Sequence, residues 1–134
     1  MNLSMTTDYV TGLGSPEPYL RDIAEAGFTH LHWCHQWDTD FVYMRPEIEQ
    51  IDRWMREVGL QLLDLHGSAG KEKVWHSRVE YVRLAGVELV ANRLEMTARL
   101  GGGVVIMHLP TAPAEPEEAA PYWTAVRRSL DALS

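Results

Sequence analysis

The amino-acid sequence predicts an α/β fold in which short apolar strands alternate with amphipathic helices over a parallel sheet. Three observations predict it. Two apolar runs close on a histidine in the same way, Leu60-Gln61-Leu62-Leu63-Asp64-Leu65-His66-Gly67 and Val104-Val105-Ile106-Met107-His108-Leu109-Pro110. The stretch between Arg45 and Gly59 repeats Ile48, Ile51, Met55 and Val58 at helical three-four spacing. The strand, turn and helix pattern recurs four times along the chain, and such alternation builds parallel sheets with right-handed crossovers.

The first strand is Leu3 to Asp8. Its helix opens at Ser15-Pro16-Glu17, with a capping serine and a proline in the first turn, carries Leu20, Ile23 and Ala24 on one face and stops at Gly27. The second strand is Thr29 to His35, and the second helix runs from Arg45-Pro46-Glu47 to Gly59. Strand three, Gln61 to His66, leads to a long helix over about His76 to Leu100, with Val87, Val90, Ala91, Leu94 and Ala98 along one side and Gly86 as a possible bend. Strand four, Val104 to Leu109, is apolar at nearly every position, which predicts a parallel, central strand covered on both faces. Proline-rich sequence follows from Pro110 to Ala120, and Pro121 then starts a fourth helix with Trp123, Val126, Leu130 and Leu133.

A doubly wound nucleotide-binding sheet would carry a glycine-rich turn after its first strand. Gly12-Leu13-Gly14-Ser15 matches that pattern poorly, because Glu17 stands at the third glycine position. The expected architecture is therefore four βα units of a (β/α)8 barrel, a half-barrel forming a single domain over residues 1–134 and ending after the fourth unit. With 46% hydrophobic and 23% charged residues the chain has enough apolar material for a core, which excludes wholesale disorder. A formal charge of −7, with both signs mixed along helices, argues against nucleic acid as a partner. No basic-then-apolar leader and no membrane-length apolar run are present, so a cytoplasmic protein without a membrane partner is expected. Cys34 is the only cysteine, so no intramolecular disulfide forms; a buried structural thiol is its expected role.

Barrels place their chemistry where strands give way to loops at the carboxyl ends. His66 and His108 sit there, on neighbouring strands spaced about 4.8 Å apart, close enough to share an ion or a substrate; the alternative for each is a strand-end hydrogen bond to a loop carbonyl. Alternation puts Leu62, Asp64 and His66 on one face and Leu63 and Leu65 on the other, leaving Asp64 one step deeper to orient an imidazole. His30, His32 and Cys34 share a face of strand two, but positions two apart are about 7 Å apart along a strand, too spread for a compact zinc site. His32 and His35 are placed at the pocket mouth and Trp33 against a helix. Trp37 is either loop packing or a platform for a sugar face. Asp38 and Asp40 read as solvated loop acids near Tyr43, Lys71 and Lys73 as a phosphate attractor diluted by Glu72, and His76 as part of the opening turn of the third helix.

The segments Ala26-Gly27-Phe28-Thr29-His30-Leu31-His32, Leu65-His66-Gly67 and Leu100-Gly101-Gly102-Gly103-Val104-Val105-Ile106-Met107-His108 resemble, in order, the second, third and fourth strand motifs of the xylose isomerase-like barrels. That superfamily holds sugar phosphate isomerases and epimerases and the endonuclease IV enzymes. The resemblance covers the amino-terminal half of such a barrel and implies a sugar isomerase or epimerase acting on a small sugar or sugar phosphate through a divalent metal, Mn²⁺, Mg²⁺, Co²⁺ or Zn²⁺. It implies metal or sugar contacts for His66 and His108 and pocket-shaping roles for His32 and Trp37. The general acid/base carboxylates are expected beyond Ser134, leaving this chain catalytically incomplete. His32 stands where the family carries glutamate. Two alternatives remain open: an endonuclease IV-like, metal-dependent phosphodiesterase, and a non-catalytic half-barrel, either a truncated remnant or a scaffold that forms a homodimer through its open sheet edges.

Overall fold

A computed structural model of the chain describes residues 3–8, 14–109 and 111–134. Gly12 and Leu13 of the glycine-containing turn, and Pro110, lie outside the described residues. The elements are β1 (Ser4–Thr6), α1 (Glu17–Glu25), β2 (His30–Trp33), α2 (Arg45–Val58), β3 (Gln61–His66), α3 (Glu80–Arg99), β4 (Val104–Ile106) and α4 (Pro116–Leu133). All strand pairs are parallel and the order is β1-β2-β3-β4, with Met5 opposite Leu31, Leu31 opposite Leu62 and Leu65 opposite Val105. Strands added one after another with same-handed crossovers put their helices on one side of the sheet. The core forms on that side: Leu31, Trp33, Leu62 and Leu65 from the sheet pack with Leu20 and Ile23 of α1, Ile48, Ile51 and Met55 of α2, and Met96 of α3. A second cluster joins Trp75, Val90, Tyr122 and Val126, with Met107 against it, and seats α4 on α3.

Several sequence expectations are corrected here. The register shifts between Leu31 and His32, so that β3 moves from Leu62 to Asp64 while β2 advances one residue, leaving Leu63 as a bulge. The extra residue breaks strict alternation: Leu62 and Leu65 both point into the core, while Asp64 and His66 keep to the opposite, inner face of the sheet. β4 is parallel but lies at the edge of the described sheet, and Val104 and Ile106 are exposed rather than covered.

α3 begins at Glu80 instead of His76, because residues 74–79 form their own turn, in which Ser77 N–H donates to the Val74 carbonyl and Ser77 Oγ accepts the Val79 N–H. The helix passes through Gly86 uninterrupted. That glycine admits the neighbouring loop, since a Cβ there would lie 2.2 Å from the Trp75 nitrogen. The buried face of α3 takes Arg83, Val87, Val90, Arg93 and Thr97, while Leu94 and Ala98 are exposed. α4 starts at Pro116 with Pro121 inside it. Pro121 forfeits only the bond to the solvent-exposed Glu117, a loss water can make good. Tyr122, Ala125, Val126 and Ser129, and not Trp123 and Leu130, form its buried face. Among the described residues no helix is long and apolar enough to cross a membrane.

Candidate functional site at the carboxyl ends of the strands

Thr7, just past β1, is buried, and its hydroxyl oxygen accepts the N–H groups of Cys34 at 2.7 Å and His35 at 3.0 Å. The end of β2 is thereby tied to the end of β1. Cys34 is buried, and loss of solvent pushes its thiol pKa up, as suits a structural residue. Trp33 packs in the core and donates its indole N–H to the Tyr43 hydroxyl.

The inner face gathers the candidate residues. Asp64 accepts a hydrogen bond from His32 Nδ1, which fixes the ring and leaves Nε2 as its second polar atom. The carboxylate thus orients an imidazole, and that imidazole is His32. His66 and His108 stack with ring centroids 4.7 Å apart and planes inclined by 19°. His66 also meets Trp37, with ring centroids 4.4 Å apart and planes tilted by 48°. His32 approaches His66 edge-on at 6.1 Å. His66 Nδ1 donates to the Gly67 carbonyl at 2.8 Å, leaving Nε2 with a free lone pair. Burial, opposed by the Gly67 contact and reinforced by His108 and His32, lowers the pKa of His66 and keeps the ring neutral near pH 7.

Trp37 is fixed by its backbone and by its indole. Its carbonyl accepts bonds from the Ala69 N–H at 3.0 Å and the Ser68 hydroxyl at 3.3 Å, and its indole N–H donates to Asp8 at 3.2 Å. Asp8 and Ser68 were not singled out from sequence, although Asp8 occupies the same strand-end position as the two histidines and could have been. The loop behind Trp37 hangs on Arg93, fully buried on α3, whose guanidinium donates to the Phe41 carbonyl at 2.8 Å and lies 4.6 Å from the Tyr43 ring centroid. Burial also raises the Tyr43 pKa to about 12.

The remaining expected residues are placed elsewhere. His35 turns away from this face to Tyr43 and the Gly14 carbonyl. It borders a cleft of about 470 Å³ between α2 and the residues just before α1, lined by none of His32, His66 and His108. His76 lies before α3, beside Trp75 and Tyr122. Asp40 is not merely solvated: its carboxylate accepts the backbone N–H groups of Lys71, Glu72 and Lys73. The amides a phosphate would use beside Lys71 and Lys73 are therefore already engaged.

The donor set does not by itself make a metal site. Near-parallel stacked rings aim their in-plane lone pairs side by side, whereas a tetrahedral ion needs donors that converge. Among the described residues no group of three or more His, Cys, Asp or Glu is placed to hold a metal ion.

No family model matches the chain. The uncharacterized protein y4fM of Sinorhizobium fredii is 31% identical over 105 residues, an alignment covering 65% of this chain and 34% of that protein. Among solved structures, D-psicose 3-epimerase in the presence of D-fructose superposes with a TM-score of 0.72 at 19% identity, over 99% of this chain and 47% of the epimerase. A D-tagatose 3-epimerase-like protein gives a TM-score of 0.75 at 16% identity, again over 99% of this chain and 47% of that one. The 3-keto-D-glucoside 4-epimerase of E. coli gives 0.63 at 21% identity, over 98% of this chain and 49% of that one. The chain thus spans about a third of its relative in sequence and about half of each of these structures. With parallel strands in sequential order and this overlap, the chain has the fold of one half of a TIM barrel, as found in these solved structures.

Proposed function

We propose that the inner face forms one wall of a carbohydrate site of the isomerase or epimerase type, binding a small sugar or sugar phosphate. The observation that carries this reading is the cluster at the carboxyl ends of the strands in which His66 stacks on His108 and meets the tilted Trp37 ring, in a fold shared with solved sugar epimerases. An indole face offers apolar surface to the C–H side of a sugar ring. His66 Nε2, neutral and free, accepts a hydrogen bond from a hydroxyl; His32, oriented by Asp64, offers a second ring nitrogen; and His108, exposed beside His66, widens the polar rim.

These residues bind and orient. Proton transfer at carbon is not assigned to them, because the carboxylates of this face are engaged, Asp64 with His32 and Asp8 with the Trp37 indole. A divalent ion of the kind the sequence resemblance implies would need donors beyond His66 and His108.

The test is calorimetric titration of the chain with D-psicose, D-fructose and D-tagatose, and separately with Mn²⁺, Mg²⁺, Co²⁺ and Zn²⁺. Loss of one hydrogen bond or one stacked ring, worth about 1–1.5 kcal/mol, should weaken sugar binding roughly tenfold in His66→Ala and Trp37→Ala and leave His76→Ala unchanged. The stacked, non-converging rings predict no tight binding of any of the four ions, and the chain should not turn over ketoses. Sugar binding that is absent, or lost equally in all variants, overturns the reading.

A further inference from the structure

The loop after β3 is built as an anion receptor and carries its anion within the chain. Asp40 Oδ1 accepts the N–H groups of Lys71 at 2.9 Å and Lys73 at 3.0 Å, and Oδ2 accepts that of Glu72 at 3.0 Å. Successive backbone N–H groups converging on one point form a nest, the arrangement that binds phosphate and carboxylate. The turn that aims them depends on Gly70, whose φ of +67° is left-handed and whose Cβ, were there one, would lie 2.2 Å from the Lys73 carbonyl oxygen. Asp40 reaches the nest from the loop after β2. From the nest the same loop runs back to Ala69 and Ser68, which hold the Trp37 carbonyl, and Ser68 Oγ also donates to the Thr39 carbonyl at 3.1 Å. Thr39 is the residue before Asp40, so the two loops are cross-linked at Trp37 itself and again at the two residues, Thr39 and Asp40, that follow it closely.

We infer that Asp40 is a positioning residue, an internal anion that clamps the loop after β3 onto the loop after β2 and so holds the Trp37 ring against His66. Partial desolvation would raise the carboxyl pKa, but the three backbone N–H bonds and the charge of Lys73 outweigh it and hold Asp40 below the usual carboxylate range, so the clamp is charged near neutral pH. Its consequence for ligand binding rests on the carbohydrate reading above; the clamp itself does not.

The test reads ring positions and not sugar affinity, so its failure is distinct from failure of the carbohydrate site. In a ¹H–¹³C spectrum of the histidine rings, the Trp37 ring current displaces the His66 resonances, an assignment made with Trp37→Phe. Asp40→Ala leaves the nest with its amides unpartnered, and the His66 signals should move toward their position in Trp37→Phe. Sodium formate, supplying the missing carboxylate, should restore them, whereas sodium chloride at equal ionic strength should not. Asp40→Asn should resist rescue, because its side chain fills the nest while setting an N–H₂ against one of the loop donors. In the wild-type chain the Lys71, Glu72 and Lys73 amides should exchange with deuterium much more slowly than exposed loop amides, a reading available even if Asp40→Ala does not fold. Unprotected amides, unmoved His66 signals in Asp40→Ala, or displaced signals that formate does not restore would each overturn the inference.

Discussion

Burial lowers the pKa of His35 and of His76 below the ordinary 6.5; at His35 the Gly14 carbonyl opposes the shift and the Arg93 charge adds to it. The unfolded chain therefore binds more protons than the folded one between each folded pKa and about 6.5. Their contribution to stability is present above 6.5 and is lost as pH falls through the folded values. Urea midpoints should fall as pH is lowered from about 7.5 to about 5.5, and His76→Gln should flatten that slope. An equally steep slope in the variant would show that His76 is not the group responsible. At this scale the expected nearness of His66 and His108 follows from adjacent parallel strands, and their rings lie 4.7 Å apart, with His108 two residues beyond the end of β4. The sequence did not reveal the Asp64–His32 bond or the Asp40 clamp. Both join residues far apart in the chain, and no local spacing encodes such a pair.

Elements were legible wherever one local pattern dominated. α2 matches its expected span because the proline in its first turn, its three-four apolar repeat and its terminal glycine agree. α3 and α4 did not show their buried faces as clearly, because each is covered from more than one direction. α3 packs against β3, β4 and α4, so its apolar stripe is smeared around the helix and Arg93 is buried through its bonds to loop carbonyls. Gly86 makes the point measurable. Glycine to alanine in a helix interior ordinarily stabilises by about 0.5–1 kcal/mol. Here the added methyl would meet Val74 and Trp75 backbone atoms, and overpacking of that kind costs about 1–3 kcal/mol. Gly86→Ala should therefore lower the denaturation midpoint; a raised midpoint would show that the loop over residues 74–75 yields freely.

For the molecule as a whole, the described sheet leaves one edge of β1 and one edge of β4 unpaired, with Val104 56% and Ile106 36% exposed. Unpaired parallel edges beside apolar surface recruit another strand. We expect the chain of 134 residues to associate with a second copy in light scattering behind size exclusion, and Val104→Lys to shift it toward monomer. A monodisperse wild-type monomer at roughly tens of micromolar would count against association through these edges.

The sequence by itself determined the alternation of strands and helices, the parallel sheet, and the histidines at the strand ends, since periodicity and residue type act within a few positions of the chain. Only the tertiary structure decided which face each β3 side chain takes, because the bulge at Leu63 arises from pairing with β2. It alone decided that Asp40 serves the loop after β3, through carboxylate-to-amide bonds that exist only once two loops 31 residues or more apart in sequence are brought together.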